Sequence, residues 1–200
     1  MLAEMKISIR HLVAGWWMCA ALSSCAYKSQ VIRLNPASPK VNAAASANAT
    51  DHAVILVTRD ARASQTIGRR STGPRDEAAI TTDTDIAALL QTQMTGILNA
   101  KGYRVRPAGP STVPTLDVQL KELSYLGFDS AGERKVKIQV ALEAIVTRES
   151  ETFRKTFHAQ QERRVILEPV AKSNEEWINE AVSDALQGLA DDSRLYSFLE

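Results

Sequence analysis

The chain has 200 residues, a formal net charge of +1 and 24% charged residues, which is ordinary for a globular protein. A charge so close to zero gives no support for nucleic-acid binding. After residue 25, no apolar stretch approaches the roughly 20 residues of a membrane-spanning helix. Length and composition therefore favour one globular domain with a short additional segment.

The first 24 residues have the layout of a secretory signal peptide. Lys6 and Arg10 give a basic start, and the uncharged run "LVAGWWMCAAL" at 12–22 is too short to span a membrane. A buried N-terminal helix is the alternative interpretation. The order of basic, apolar and then small residues favours the signal peptide, to which we assign residues 1–24.

Cys25 stands directly after this run. Leu22-Ser23-Ser24-Cys25 resembles the lipobox of bacterial lipoproteins, in which small residues give the protease access and the cysteine thiol takes a diacylglycerol group. The alternative is a free or disulfide-bonded Cys25, but the other cysteine, Cys19, lies inside the apolar run. The sequence therefore predicts a lipid anchor at Cys25, with acyl chains that contribute roughly 0.8 kcal/mol per buried CH₂.

Ala26 follows the predicted lipidation site. An Asp at that position commonly retains lipoproteins at the inner membrane of diderm bacteria. By resemblance to that sorting rule, we expect an outer-membrane lipoprotein whose domain faces the periplasm.

Residues 25–50 are expected to form the lipidated N-terminus and a flexible tether. Pro36, Pro39 and the Ala/Ser/Asn-rich stretch after Val41 are typical of linkers. Within this segment, Val31, Ile32 and Leu34 are also compatible with a short docked strand. The globular domain is assigned to residues 51–200.

The predicted domain begins with an apolar strand at 53–57 and continues through an irregular stretch at 59–82. Apolar residues at helical spacing then predict a helix over 83–100, capped by Thr82 and Asp85. Gly102 is placed to end that helix, and a short strand follows it.

Strict alternation predicts strands at 116–120 and 135–146, with 152–165 returning as the partner of the second strand after a turn at 147–152. A last helix carries a capping box at Ser173 and Glu176. The order β–α–β–β–β–β–α predicts an α+β two-layer sandwich, in which two amphipathic helices cover one face of a mostly antiparallel sheet.

This layout resembles the YajG-type family of bacterial lipoproteins, which is largely uncharacterised. The features that carry the resemblance are the lipobox at Cys25, "DARASQTIG" at 60–68, "LLQTQMTGILNAKGYRV" at 89–105, the long hairpin and "NEAVSDALQGLADD" at 179–192. The resemblance covers essentially the whole chain. It implies an anchored periplasmic α+β domain with no established enzymatic activity.

The family's D-x-R pattern after the first strand corresponds here to Asp60-Ala61-Arg62. Together with Arg69 and Arg70, these residues form a candidate partner-binding loop, because arginines offer bidentate contacts to carboxylate or phosphate groups. A structural ion pair that fixes the loop to the sheet is the favoured alternative. The arginines at 59–75 are also compatible with anionic headgroups, although a solvated loop explains them more simply.

No pattern in the sequence indicates catalysis or a cofactor. His52 and His158 are the only histidines after the signal peptide, and neither has metal-ligand spacing. There is no G-x-S-x-G and no Gly-rich phosphate loop. We therefore predict a protein that is not an enzyme and that needs no cofactor or metal.

Three functions are compatible with the sequence. The first is a lipid-anchored domain that binds an envelope protein, the second is an anchored carrier of lipid, glycan or another small molecule, and the third is a hydrolase whose triad forms only in space. Self-association through an edge strand at 152–165 is compatible with the first. The first is preferred because of the anchor, the neutral charge and the lack of catalytic motifs.

Overall fold

The computed structural model describes residues 29–41, 52–71, 77–107, 112–166 and 169–200. The strands in these ranges are β1 (Gln30–Ile32), β2 (Ala53–Asp60), β3 (Gly68–Ser71), β4 (Glu77–Thr82), β5 (Arg104–Arg106), β6 (Thr115–Ser130), β7 (Glu133–Arg148) and β8 (Glu151–Val165). The helices are α1 (Ile86–Ala100), α2 (Ala171–Ala190) and α3 (Ser193–Leu199).

Three long antiparallel strands, β6, β7 and β8, form the body of the sheet. The β6–β7 pairing runs from Thr115 opposite Thr147 to Ser130 opposite Glu133, and β8 pairs with β7 from Arg134 to Arg148. Alternate residues of β7 are buried, as the period-two pattern predicts: Val136, Ile138, Val140, Leu142, Ala144 and Val146. The predicted partnership of 135–146 with 152–165 is confirmed.

The other edge of β6 carries two groups of strands in succession. Its first half pairs with β2, which pairs in turn with β5. Its second half pairs with β3, which is followed by β4 and then β1. A bulge between Leu120 and Glu122 separates the two halves. The sheet therefore divides at the bulge, which locally bends and twists a strand.

The expected mostly antiparallel sheet with two covering helices is wrong. The sheet is large and mixed, since four of its strand pairs, β1–β4, β2–β5, β2–β6 and β3–β6, are parallel. Along the chain, α1 lies between β2 and both of its parallel partners, β5 and β6, and a crossover of this kind returns the chain in the same direction. A third helix, α3, packs against β7 and β8.

The stretch at 59–82, expected to be irregular, contains β3 and β4. Their sequences, GRRS and EAAITT, are short and carry few large apolar residues. Each is paired on both sides, β3 between β4 and β6 and β4 between β1 and β3. Their strand conformation therefore depends on pairing with strands that are distant in the sequence. No local sequence pattern predicts such pairing.

Both long helices bury the stripes expected from the sequence. Ile86, Leu90, Met94, Ile97 and Leu98 of α1 are buried, and the Asp85 carboxylate caps the helix by accepting from Ala88 N at 3.0 Å. Helix α2 begins at Ala171 without a side-chain cap, so the predicted capping box at Ser173 does not start it. The buried side chains of helices and strands form one core cluster.

Within the described ranges, no helix combines the length and apolarity that a membrane crossing requires.

Candidate functional site

The loop after β2 departs from β6 and then pairs with it again as β3. Asp60 is paired with Leu120, and Gly68 with Tyr125, so the seven residues 61–67 pass alongside only the four residues 121–124. Backbone bonds close both ends of the loop, from Ala61 N to Leu120 O at 3.0 Å and from Tyr125 N to Ile67 O at 2.8 Å. The loop therefore leaves β6 at the bulge and rejoins it at Tyr125.

Asp60 and Arg62 form a bidentate ion pair at the start of this loop. Arg62 Nε and Nη2 donate to the two carboxylate oxygens of Asp60, both at 2.8 Å. The Arg62 side chain is only 5% exposed and that of Asp60 is 31% exposed. The hydrogen bonds from the Arg62 side chain hold the pKa of Asp60 below its ordinary value.

This geometry favours the structural interpretation of the pair. The guanidinium is buried, and the carboxylate that neutralises it belongs to the same turn of chain. An incoming anion would have to displace Asp60 to gain a bidentate contact with Arg62. The role of this loop in partner binding stays a prediction.

A cleft of about 290 Å³ adjoins the pair, lined by Asp60, Arg62, Gln65 and residues 82–87 at the start of α1. It is open to solvent, and its ionisable lining residues are Asp60, Asp83, Asp85 and Arg62. Thr58 Oγ1 fixes the start of α1 to β2 by donating to Ala87 O at 2.8 Å. The cleft has more acidic than basic side chains, which does not favour binding of an anion.

Arg69 and Arg70 do not join Asp60 and Arg62 in one loop. They lie on β3, where Arg69 is opposite Ala79 and Arg70 is opposite Ala78. With the Gln30 amide oriented to suit its neighbours, its oxygen accepts from Arg70 Nε at 3.1 Å and from Ala171 N at 3.2 Å. Arg70 thereby connects β3 with β1 and the first residue of α2.

A feature that our sequence analysis missed is the strap, residues 33–41, which lies along α2. Backbone N–H groups of the strap donate to one row of α2 side chains: Arg33 to Glu175 at 2.8 Å, Asn35 to Asn179 at 2.7 Å, Ala37 to Ser183 at 2.9 Å and Lys40 to Gln187 at 2.8 Å. Asn179 and Gln187 also donate to the carbonyls of Arg33 and Lys40, both at 3.0 Å.

The match between strap and helix has a geometric origin. Four residues of an α-helix rise about 6 Å, and two residues of extended chain span about 6.6 Å. Because these two distances are similar, polar residues at every fourth position of α2 accept from every second backbone N–H of the strap. This holds for the first half of the strap, from Arg33 to Ala37. The i, i+4 spacing of Glu175, Asn179, Ser183 and Gln187 was the available sequence signal.

The strap is also held from the α1 side. Leu34 N donates to Thr84 Oγ1 at 2.9 Å, and Gln93 Nε2 donates to Pro36 O at 3.3 Å. Ile32 and Leu34 are buried in the core. The described part of the segment assigned to a tether is therefore packed against the domain, and the docked strand considered for Val31 and Ile32 corresponds to β1.

Strand β8 lies at an edge of the sheet, because among the described strands it pairs only with β7. Its inward-facing polar side chains bind the helices: Lys155 contacts Asp192, Gln161 donates to Asp184 at 2.8 Å, and Arg163 contacts Glu180. Its outward-facing side chains are exposed: Thr152, Arg154, Thr156, His158, Gln160, Glu162 and Arg164. The apolar pattern of this strand is weak because these polar residues occupy inward-facing positions.

The described residues contain no group of three or more His, Cys, Asp or Glu side chains arranged to hold a metal ion. The two histidines are separate, His52 beside the Tyr103 ring and His158 exposed on β8. The clefts outside the loop are also open, including one of about 280 Å³ beside the strap. Leu22, Ser23, Ser24 and Cys25 lie outside the described residues.

Solved structures similar to this chain have low identity to it. A protein of the DUF330 family from Xanthomonas campestris is 13% identical, with a TM-score of 0.48, and the match covers 82% of this chain and 91% of that protein. A minor lipoprotein from Acinetobacter baumannii is 10% identical, with a TM-score of 0.42, covering 74% and 92%. None of the curated proteins matches.

A family model gives the more direct assignment. The Lipoprotein_16 model, described as an uncharacterized lipoprotein, matches residues 39–200, which include every element from β2 to α3. This agrees with the resemblance to an uncharacterised bacterial lipoprotein family. The chain belongs to the Lipoprotein_16 family of uncharacterised lipoproteins.

Proposed function

We propose that this protein is anchored by acyl chains on Cys25 to the periplasmic side of the outer membrane, and that its domain binds an envelope protein without catalysing a reaction. Family membership supports the lipoprotein character. The lipobox sequence supports Cys25 as the acylated residue, and Ala26 after it supports the outer membrane.

The observation that carries the binding proposal is the open edge of β8. The strand has 15 residues and pairs with a single described neighbour. An unpaired edge presents a row of backbone N–H and C=O groups, to which an extended segment of another protein adds as a further strand. Exposed polar side chains alternate along β8 and would give such a contact its specificity.

The contacts that hold β8 in place support binding of a partner at its edge. Lys155–Asp192 and Arg163–Glu180 connect its inner face to the cap of α3 and to α2, so the strand is ordered against the helices before binding. A pre-ordered strand costs less conformational entropy on association than a mobile one. Diagonal pairs such as Arg154–Glu143 at 3.0 Å and Lys135–Glu162 at 2.7 Å hold it against β7.

The test of binding is photo-crosslinking in intact cell envelopes, with a photoreactive amino acid at Thr156 or Gln160 of β8. The control places it at Thr92, an exposed residue of α1. We expect one discrete adduct from both β8 positions and none from Thr92. Equal adducts from all three positions, or none, would contradict binding at this edge, and an adduct of twice the protein mass would identify a second copy as the partner.

The anchor is tested by fractionation of Cys25→Ser. We expect the variant to leave the membrane fraction and to appear with soluble periplasmic proteins. Retention of the variant in the membrane fraction would refute the anchor at Cys25 and would leave the β8 proposal standing.

A further inference from the structure

The described chain starts close to the predicted anchor. Gln30, the first residue of β1, is only five residues after Cys25. At about 3.6 Å per extended residue, that connection spans at most about 18 Å. Gln30 is 7% exposed and is fixed against Arg70 and Ala171. An acylated Cys25 would thus hold this part of the domain beside the lipid surface.

The strand directions define which end of the molecule is held there. The anchor end comprises the start of β1 at Gln30, the end of β3, the β6–β7 turn at 131–132, the end of β8 at Val165 and the start of α2 at Ala171. The register places these on the same half of the sheet. Gln30 and Gly68 both pair with Ile80, and Gly68 pairs with Tyr125, which is level with Gln161 of β8, four residues before Val165.

Exposed apolar side chains are concentrated on the same half of the sheet. The large hydrophobic residues that are exposed in the described ranges are Ile166 at 94%, Val170 at 63%, Val31 at 58% and Leu126 at 57%. Ile166 directly follows β8, Val170 directly precedes α2, and Leu126 lies on β6 beyond the bulge, opposite Arg69. Val31 is the second residue of β1.

The opposite end of the sheet has a different surface. The β7–β8 turn there consists of exposed polar residues between Arg148 and Glu151, and α2 is followed by Asp191 and Asp192. In the described ranges, that end carries no exposed large hydrophobic residue. Exposed apolar residues on only one half of the sheet do not stabilise a domain that is surrounded by water. Exposed apolar groups that are grouped on one end are typical of a contact surface.

We propose that the anchor end docks on the lipid surface that holds the acyl chains, with Leu126, Ile166 and Val170 entering the headgroup region. This rests on the proposed anchor at Cys25. Charges near these residues are of both signs, as in Arg164–Glu133 at 3.0 Å and Lys135–Glu162 at 2.7 Å. Apolar burial rather than attraction to anionic lipid therefore drives the contact, and added salt weakens it little.

The test uses the full lipidated protein in vesicles of phosphatidylethanolamine and phosphatidylglycerol. Spin labels are attached at Leu126→Cys or Ile166→Cys, and the control label is at Ser150→Cys in the opposite turn. Collisions with a water-soluble nickel chelate and with oxygen report the depth of each label. We expect labels 126 and 166 to lose nickel collisions severalfold relative to the same labels on the Cys25→Ser protein in solution, while label 150 does not change.

Two results separate this inference from the proposed anchor. If the lipidated protein floats with the vesicles but all three labels stay equally accessible to nickel, the docking surface is wrong and the anchor stands. If the protein with intact Cys25 does not float with the vesicles, the anchor is refuted, and the docking proposal that depends on it is refuted as well.

Discussion

Gly68 and Tyr125 are paired between β3 and β6, and their backbones approach so closely that a β carbon on Gly68 would lie 2.2 Å from the Tyr125 carbonyl oxygen. Because the contact is to backbone, a side-chain rotation cannot relieve it. The glycine therefore permits β3 to return to β6 after the outward loop.

We expect Gly68→Ala to destabilise the domain by about 2 kcal/mol or more, because β3 must move away from β6. The matched control is Gly127→Ala on β6, where a β carbon meets nothing within 4 Å. Urea unfolding of both variants gives the free energies. Equal stability of the two variants would contradict the close pairing of β3 with β6.

Removal of the guanidinium from the Asp60–Arg62 pair tests its structural role. We expect Arg62→Met to cost about 2 kcal/mol of unfolding free energy, since it removes two charge-assisted hydrogen bonds to a partly buried carboxylate. Arg59→Met is the control: Arg59 is 59% exposed and pairs with Asp117 at 3.0 Å, so we expect it to cost less than about 1 kcal/mol. Equal costs would count against a structural role for Arg62.

The same pair gives a pH dependence with a defined sign. Because Arg62 lowers the pKa of Asp60 below the 3.8 of an unperturbed Asp, the stabilisation is complete above that value. It is lost as the pH falls through the folded-state pKa, since the unfolded chain then binds a proton that the folded chain does not. We expect the unfolding free energies of the native protein and of Arg62→Met to converge at acid pH. A difference that stays constant with pH would contradict the attribution of this stabilisation to ionised Asp60.

The attachment of the strap is tested with Asn179→Ala. This change removes the acceptor of Asn35 N and the donor to Arg33 O. A loss of about 1 kcal/mol corresponds to roughly fivefold faster hydrogen exchange of the Asn35 amide. Glu176→Ala on the same helix is the control, because its contact with Lys172 is 3.9 Å long and exposed. Unchanged exchange at Asn35 in Asn179→Ala would show that the hydrogen bonds do not hold the strap.

Tyr103→Phe tests how α3 is held. The Tyr103 hydroxyl donates to Tyr196 O at 3.0 Å, and burial, with the charge of Glu200, raises the pKa of Tyr103 to about 12. Without this donor the buried carbonyl loses its bond, at a cost of about 1–2 kcal/mol. We expect faster tryptic cleavage after Arg194 in α3, with cleavage after Arg148 in the β7–β8 turn as internal control. An equal rise at both sites would indicate general unfolding instead.

Local sequence patterns predict those elements in which the spacing of apolar residues matches the spacing of buried positions. The alternation from Lys135 to Val146 predicts β7, because every second side chain there is buried in the core. The stripe from Ile86 to Leu98 predicts α1 within a few residues, but Asp85 itself caps the helix, instead of the expected capping box of Thr82 with Asp85. The D-x-R pattern likewise places Asp60 and Arg62 at the end of a strand, and the structural ion pair favoured for them agrees with their bidentate contact.

The sequence by itself determined the lipobox pattern, the long hairpin and the two amphipathic helices, because each depends on residues that are neighbours along the chain or on one element. Only the tertiary structure decided the parallel pairings of β2 and β3 on one edge of β6 and the position of the strap on α2. Each of these depends on backbone hydrogen bonds between distant segments. Every residue except proline offers the same backbone donor and acceptor, so the local sequence of a strand or of the strap does not identify the segment with which it pairs.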